Sequence, residues 1–173
     1  KGRDVGAAII DLMFKKEENG RIPVVAVTGT NGKTTTVRLI EQILRYNNMR
    51  VGFTGTEGVV VNGHLIDTGD CSGPKSAHKV LVHPETDAAV LECARGGMLR
   101  EGLGFDMCDV GIVTNIGEGD HLGLNFIDSV EDLALLKSVL VQNVAPNGLA
   151  VLNADDKHAA AMAKLTPGRV LFF

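Results

Sequence analysis

The stretch Val24-Val25-Ala26-Val27-Thr28-Gly29-Thr30-Asn31-Gly32-Lys33-Thr34-Thr35-Thr36 constrains this chain more than any other. Its apolar, β-branched first half predicts a strand, its glycines a tight loop, and the residues from Thr34 onward a helix. A strand, a glycine loop and a helix N-terminus in that order make an anion cradle, with loop N–H groups and the helix dipole facing the ligand. In such a cradle the Lys33 ammonium reaches the β- and γ-phosphates and the Thr34 hydroxyl ligates Mg²⁺. Gly29 and Gly32 let the backbone turn and approach closely. Gly29, Thr30, Asn31, Gly32, Lys33, Thr34 and Thr35 are therefore the expected nucleotide contacts. The alternative is an ordinary strand-to-helix turn with a solvated lysine.

The rest of the chain alternates in the same way. An amphipathic helix is predicted over residues 5–14, with Ala8, Ile9, Leu12 and Met13 on one face. The polar run from Lys15 to Arg21 leads into a strand over 22–28. A helix over 34–46 follows, with Leu39, Ile40, Ile43 and Leu44 as its buried stripe. Val51 to Thr54 reads as a strand, and 59–66 as a hairpin around Asn62-Gly63, a pair that favours a type I′ turn. Pro74 starts a helix reaching about Val82. Strands are expected at 88–91 and 110–114, with a short helix or turn from Gly97 to Gly104 between them. Asp128 or Ser129 caps a helix through Leu133, Leu136, Leu140 and Val144, ended by Pro146 and Gly148. A strand at 149–152, a helix over 155–165 and a strand at 169–173 complete the order. Several strands are apolar throughout, which predicts an α/β fold: a mostly parallel sheet with helices on both faces and a small β-hairpin insertion. Residues 1–21 form a leading helix and linker, and 22–173 the main domain.

Composition excludes several classes. A net charge of −4 gives no nucleic-acid surface, and no apolar stretch approaches the roughly 20 residues that span a bilayer. Cys71, Cys93 and Cys108 show no Cys-x-x-Cys pairing and read as reduced, buried or loop thiols, which suits the cytoplasm. The chain opens on Lys1 without a signal-peptide pattern and closes on an apolar run, so it is expected to be part of a longer protein.

In parallel sheets ligands bind beyond the C-terminal ends of the strands, and the polar clusters fall there. Glu92 follows an apolar strand, where a carboxylate reaches a phosphate-held Mg²⁺, or caps a helix. Arg95 and Arg100 flank Gly96-Gly97 and suit a carboxylate or phosphate, or are surface charges. Thr114-Asn115-Ile116-Gly117-Glu118-Gly119-Asp120-His121-Leu122-Gly123 ends a strand in a glycine-rich acidic loop, and His121 suits a divalent cation or a reacting group. Lys137 interrupts an apolar helix, where residue type alone reads as a snorkelling surface lysine. Asn153-Ala154-Asp155-Asp156 follows another strand, and Asp155 suits an N-cap.

The loop is spelled Gly29-x-x-Gly32-Lys33-Thr34-Thr35, with Val27 where the common phosphate loop has glycine. This spelling resembles the Mur ligase superfamily, ATP-dependent amide ligases. So do the Thr-Asn…Asp-His-Leu segment and Leu152-Asn153-Ala154-Asp155-Asp156. The runs Gly69-Asp70-Cys71-Ser72-Gly73-Pro74, Glu92 to Phe105 and Asn115 to Leu124 more narrowly resemble the Mur-like module of the cyanophycin synthetase family. That resemblance implies ATP and Mg²⁺ as cofactors, with Thr34 and Glu92 on a first metal ion. It puts His121 and Lys137, the latter carbamylated by CO₂, on a second. Lys33, Lys137 and His121 would be catalytic, Asn115 and Asn153 would contact the nucleotide, and Ser72, Arg95 and Arg100 the carboxylate substrate. The implied reaction turns ATP, a carboxylate and an amine into an amide, ADP and phosphate through an acyl phosphate. The implied substrates are an aspartate-chain polymer and arginine. Upstream and C-terminal domains are implied on the same chain, and a homo-oligomer stays open. Cys93 departs from the family's usual threonine or other small residue. A folylpolyglutamate-synthetase-like ligase, suggested by Glu92 to Leu99, and a nucleotide-binding regulatory module remain as alternatives.

Overall fold

The computed structural model describes residues 5–14, 20–117, 122–123 and 127–173, with backbone alone at Ala7 and Asp11. Among these, α1 (Gly6–Met13) precedes β1 (Val24–Thr28) and α2 (Lys33–Tyr46). Then come β2 (Val51–Gly55), β3 (Gly58–Val61), β4 (His64–Thr68), α3 (Pro74–Leu81), β5 (Ala88–Glu92) and α4 (Arg95–Glu101). β6 (Cys108–Val113), α5 (Val130–Gln142), β7 (Val144–Leu152), α6 (Lys157–Ala161), a 3₁₀ turn (Met162–Lys164) and β8 (Arg169–Phe172) complete the chain. The eight strands form one sheet in the order β4-β3-β2-β5-β1-β6-β7-β8. All neighbours from β2 to β8 pair in parallel, whereas β3 pairs antiparallel with both β2 and β4. β3 and β4, at one edge of the sheet, are the expected hairpin insertion: Asn62 and Gly63 both take positive φ, 50° and 82°, as a type I′ turn requires.

Helices do cover both faces, but unevenly. Among the described residues α2 alone packs one face, where Val37, Ile40 and Leu44 meet Val27, Val51, Phe53 and Val90. On the other face α3, α4, α5 and α6 contribute Val80, Met98, Leu133, Leu140 and Ala159 to the larger core. The predicted stripe of α2 is corrected accordingly. Leu39 and Ile43 are 56% and 61% exposed, because the sheet meets the helix along Val37, Glu41 and Leu44 instead. The face of α1 is corrected too: Ile9, Leu12 and Met13 are exposed and join neither core cluster.

The α5–β7 junction also differs from expectation. The helix stops at Gln142, and Val144, Pro146 and Gly148 already belong to β7. The ladder between β6 and β7 slips between Cys108 and Val110, which absorbs the proline and glycine in a bulge. Of the two offered caps, Ser129 is used, in a capping box with Asp132. Asp156, rather than Asp155, caps α6 through the N–H groups of His158 and Ala159. The three cysteines are free and buried. Burial pushes the Cys93 thiol well up and Cys108 up to about 12, so neither carries thiolate at neutral pH.

The exposure difference makes a direct test. Leu140→Ala, in the fully buried face of α5, is expected to destabilise the chain by about 2–5 kcal/mol. Leu39→Ala, at a surface position, should stay within about 0.5 kcal/mol. Urea unfolding of both variants checks this, and similar losses would return Leu39 to the core.

Candidate active site

β1 lies between β5 and β6 in parallel register, Val27 opposite both Glu92 and Ile112 and Thr28 opposite Val113. Three chain exits therefore leave the sheet side by side. The first is the loop from Gly29 to Gly32. Gly29 has φ 144°, and a Cβ there would fall 1.9 Å from Thr114 Oγ1. The close approach that demands this glycine is thus to the exit of β6. Gly32 has φ 84°, and a Cβ there would meet nothing nearer than 4.0 Å, so its outer side is open. It is the N-cap of α2, and no side chain caps the helix. The N–H groups of Lys33, Thr34 and Thr35 begin the helix without an intrahelical partner and stay available to an anion. The Lys33 ammonium donates to the carbonyls of Gly29 (3.0 Å) and Thr30 (2.9 Å).

Thr34 and Glu92 meet across the sheet edge. The Thr34 hydroxyl donates to Glu92 Oε2 at 2.8 Å. Glu92 is 2% exposed, and its Oε1 is one of two buried side-chain atoms among the described residues with no hydrogen-bond partner. Burial raises its carboxyl above the usual range, opposed by the Thr34 hydrogen bond and the Lys33 charge. An unpartnered, buried carboxylate oxygen beside a hydroxyl suits a hard divalent cation that takes its other ligands from phosphate and water. No group of three or more His, Cys, Asp or Glu among the described residues can hold a metal ion, so those outside ligands are needed.

Lys137 sits in the core beneath this loop. It is 0% exposed and donates to the Gly29 carbonyl at 3.1 Å. The snorkelling reading is corrected: Lys137 occupies the buried stripe of α5 with Leu133, Leu140 and Val141. Its spacing of four from Leu133 and from Val141 was the available signal. His121, with Glu118 and Asp120, lies outside the described residues.

Asn115 and Asn153 join the loops to one another. Asn115 pairs with Asn31, and the Asn153 amide donates to the Thr114 carbonyl at 3.0 Å while its oxygen accepts from Asp155 N–H at 2.9 Å. Asp156 accepts from Ile116 N–H at 2.5 Å, a link the sequence did not disclose. Asn31, Thr36, Ile112, Asn115, Val151, Asn153 and Phe173 are among the residues lining a groove of about 520 Å³ beside the loop. Ser72 and Arg100 line a second, polar cavity of about 600 Å³. Arg95 is buried at the start of α4 and is not among the residues lining that cavity. Ser72 is itself tied to Asp70 Oδ1 through its hydroxyl at 2.5 Å. No helix among the described residues is long and apolar enough to cross a membrane.

Residues 27–173 match the family described as "Mur ligase middle domain". The chain is 49% identical to cyanophycin synthetase of Trichormus variabilis over 171 residues, 99% of this chain and 19% of that protein. It is 30% identical to the UDP-N-acetylmuramoyl-L-alanyl-D-glutamate–2,6-diaminopimelate ligase of Chlorobaculum tepidum over 96% of this chain and 34% of that one. A solved ligase of the latter name superposes with a TM-score of 0.69 at 28% identity, over 87% of this chain and 31% of that one. A bifunctional folylpolyglutamate synthase/dihydrofolate synthase from Yersinia pestis, complexed with AMPPNP and a Mn ion, shares the fold. Its TM-score is 0.64 at 21% identity, over 96% of this chain and 45% of that one. The chain thus spans about a fifth of the length of the cyanophycin synthetases it matches.

The buried carboxyl of Glu92 gives a pH test on nucleotide-free, metal-free protein. A raised value means that the folded state keeps this proton to higher pH than the unfolded chain. Stability then falls as pH rises from the ordinary glutamate value, about 4.3, to the raised one. Glu92→Gln removes that loss. The variant should unfold at higher temperature than wild type at pH 7, the gap closing as pH drops below the ordinary value. A gap of zero or of opposite sign at pH 7 would show that Thr34 and Lys33 already offset the burial.

Proposed function

The chain belongs to the Mur ligase family, whose middle domain it matches, and from that premise we propose that it is the nucleotide-binding domain of an ATP-dependent carboxylate–amine ligase. The observation that carries this is the Thr34–Glu92 pair at the uncapped N-terminus of α2. It supplies helix N–H groups for phosphate and an unpartnered carboxylate oxygen for a cation. Lys33 leaves the Gly29 and Thr30 carbonyls for the β- and γ-phosphates as ATP enters, and Asn153 and the apolar wall of Ile112, Val151 and Phe173 receive the base. Thr34 and Glu92 would hold one Mg²⁺, and His121 with carbamylated Lys137 a second. Such ions would neutralise charge on the transferring phosphoryl group.

The carboxylate substrate lies in the cavity beside Ser72 and Arg100, with Arg95 supporting that wall from within. Its oxygen attacks the γ-phosphorus, the bond to the β-phosphate oxygen breaks, and ADP leaves. An amine then attacks the acyl carbon, loses a proton and displaces phosphate, giving the amide. The donors around the loop are fixed before reaction, which is where such sites gain most. The 49% identity to cyanophycin synthetase supports an aspartate-chain polymer as the carboxylate and arginine as the amine. Further domains of the whole protein would supply the amine site.

Two measurements test this reading. Lys33→Ala should weaken binding of a non-hydrolysable ATP analogue by more than tenfold, about 1.4 kcal/mol, in calorimetry; unchanged affinity would remove the loop from the site. In the whole protein, ADP release should require both the aspartate-chain primer and arginine. Release driven by a folate and glutamate would replace the substrate assignment.

Lys137 offers a separate outcome. Lys137→Ala should lower turnover strongly while circular dichroism stays native, and added acetate should restore part of it. Lys137→Arg should not rescue, because guanidinium forms no carbamate and sets a cation beside the metal. An arginine variant with normal turnover would reduce Lys137 to a charge that holds the loop.

A further inference from the structure

The two residues between Gly29 and Gly32 are held by the exit of β6. Thr30 N–H donates to the Asn115 carbonyl at 2.8 Å. Asn31 N–H donates to Asn115 Oδ1 at 2.9 Å, and Asn115 Nδ2 donates back to the Asn31 carbonyl at 3.1 Å. Thr114 Oγ1 donates to that same carbonyl at 2.6 Å. One side-chain amide thus meets the peptide groups of Asn31 as a neighbouring strand would, an acceptor for the N–H and a donor for the carbonyl. Thr30 Oγ1 adds a tie of its own, accepting from Gly117 N–H at 2.9 Å.

This arrangement sorts the donors of the loop. The N–H groups of Thr30 and Asn31 are engaged with Asn115, whereas those of Lys33, Thr34 and Thr35 open an uncapped helix. A phosphate loop binds well when its shape exists before the anion arrives, since ordering it afterwards subtracts from affinity. Asn115 supplies that shape from outside the loop. Resting on the nucleotide reading above, we infer that Asn115 is a positioning residue: its amide fixes the Asn31 peptide, so that the N-terminus of α2 is presented to phosphate. This role is separate from the direct nucleotide contact that the resemblance implies for Asn115.

The test combines affinity with the behaviour of the free protein. A non-hydrolysable ATP analogue with Mg²⁺ is titrated into wild type and Asn115→Ala by calorimetry. Amide hydrogen exchange is followed in both without nucleotide. The inference expects roughly tenfold or greater weakening for the variant, from the loss of two hydrogen bonds. It also expects faster exchange at Thr30 and Asn31 in the nucleotide-free variant, with β1 and β5 protected as in wild type. Unchanged affinity overturns the inference. So does weaker affinity with unchanged exchange, which would make Asn115 a direct ligand. Protection lost across β1 and β5 as well would make it a general packing residue and overturn the inference too. A wild-type chain that binds no nucleotide overturns the functional reading itself, which is a different result from any of these.

Discussion

Everything at the site follows from the parallel register of β5, β1 and β6. Val27 stands opposite Glu92 on one side and Ile112 on the other, so the three strands run out together. A slip of one residue would turn Glu92 to the opposite face of the sheet and break its contact with Thr34. The register is backed by apolar packing on both faces and by buried polar ties, Thr28 Oγ1 donating to the Cys93 carbonyl and Glu92 N–H to Thr54 Oγ1.

Glu92 and Lys137 are buried charged side chains near those strand ends. Burying an ionised group is costly unless hydrogen bonds or opposite charge compensate. Each has some compensation: Glu92 accepts from Thr34, and Lys137 donates to the Gly29 carbonyl. Glu92 keeps one oxygen without a partner. A group left partly unsatisfied in a well-packed fold is a reservoir that a cation can relieve on binding. The Gly29 carbonyl also receives the Lys33 ammonium. Two ammonium groups, of Lys33 and of the sequence-distant Lys137, thus converge on one loop carbonyl.

Much of this was legible in the sequence for local reasons. The Gly29 to Thr36 spelling, the Asn62-Gly63 turn, Pro74 and Ser129 each fix a backbone state with one or two residues, and each appears where expected. The misreadings come from features decided at long range. Leu39 and Ile43 fit a helical stripe, but which stripe faces the sheet depends on how α2 crosses β2 and β5. Val144 continued an apolar helical pattern, yet pairing of β7 with β6 claimed it. Lys137 looked like a surface residue by type, although its spacing from Leu133 and Val141 placed it inside. The long-range ties around the loop were not legible in the sequence. The ties from Thr114, Asn115 and Asp156 join segments more than 35 residues apart in sequence.

The uneven helix cover completes the logic of the site. α2 shields β1, β5 and β2 on its face of the sheet, but β7 and β8 lie beyond its reach. Leu171 stays exposed and Val151 half-buried there. The uncovered strip begins at the loop, where Asn31 and Thr36 border it, and continues over Ile112, Val151 and Phe173. A ligand with an anionic end and a flat apolar end matches that sequence of surfaces in one direction only. Its charge belongs at the helix N-terminus and its ring on the bare sheet. A second helix on this face would bury more apolar area and stabilise the fold, but it would close the groove. Among the described residues this open strip follows from a topology that sends α3, α4, α5 and α6 to the opposite face.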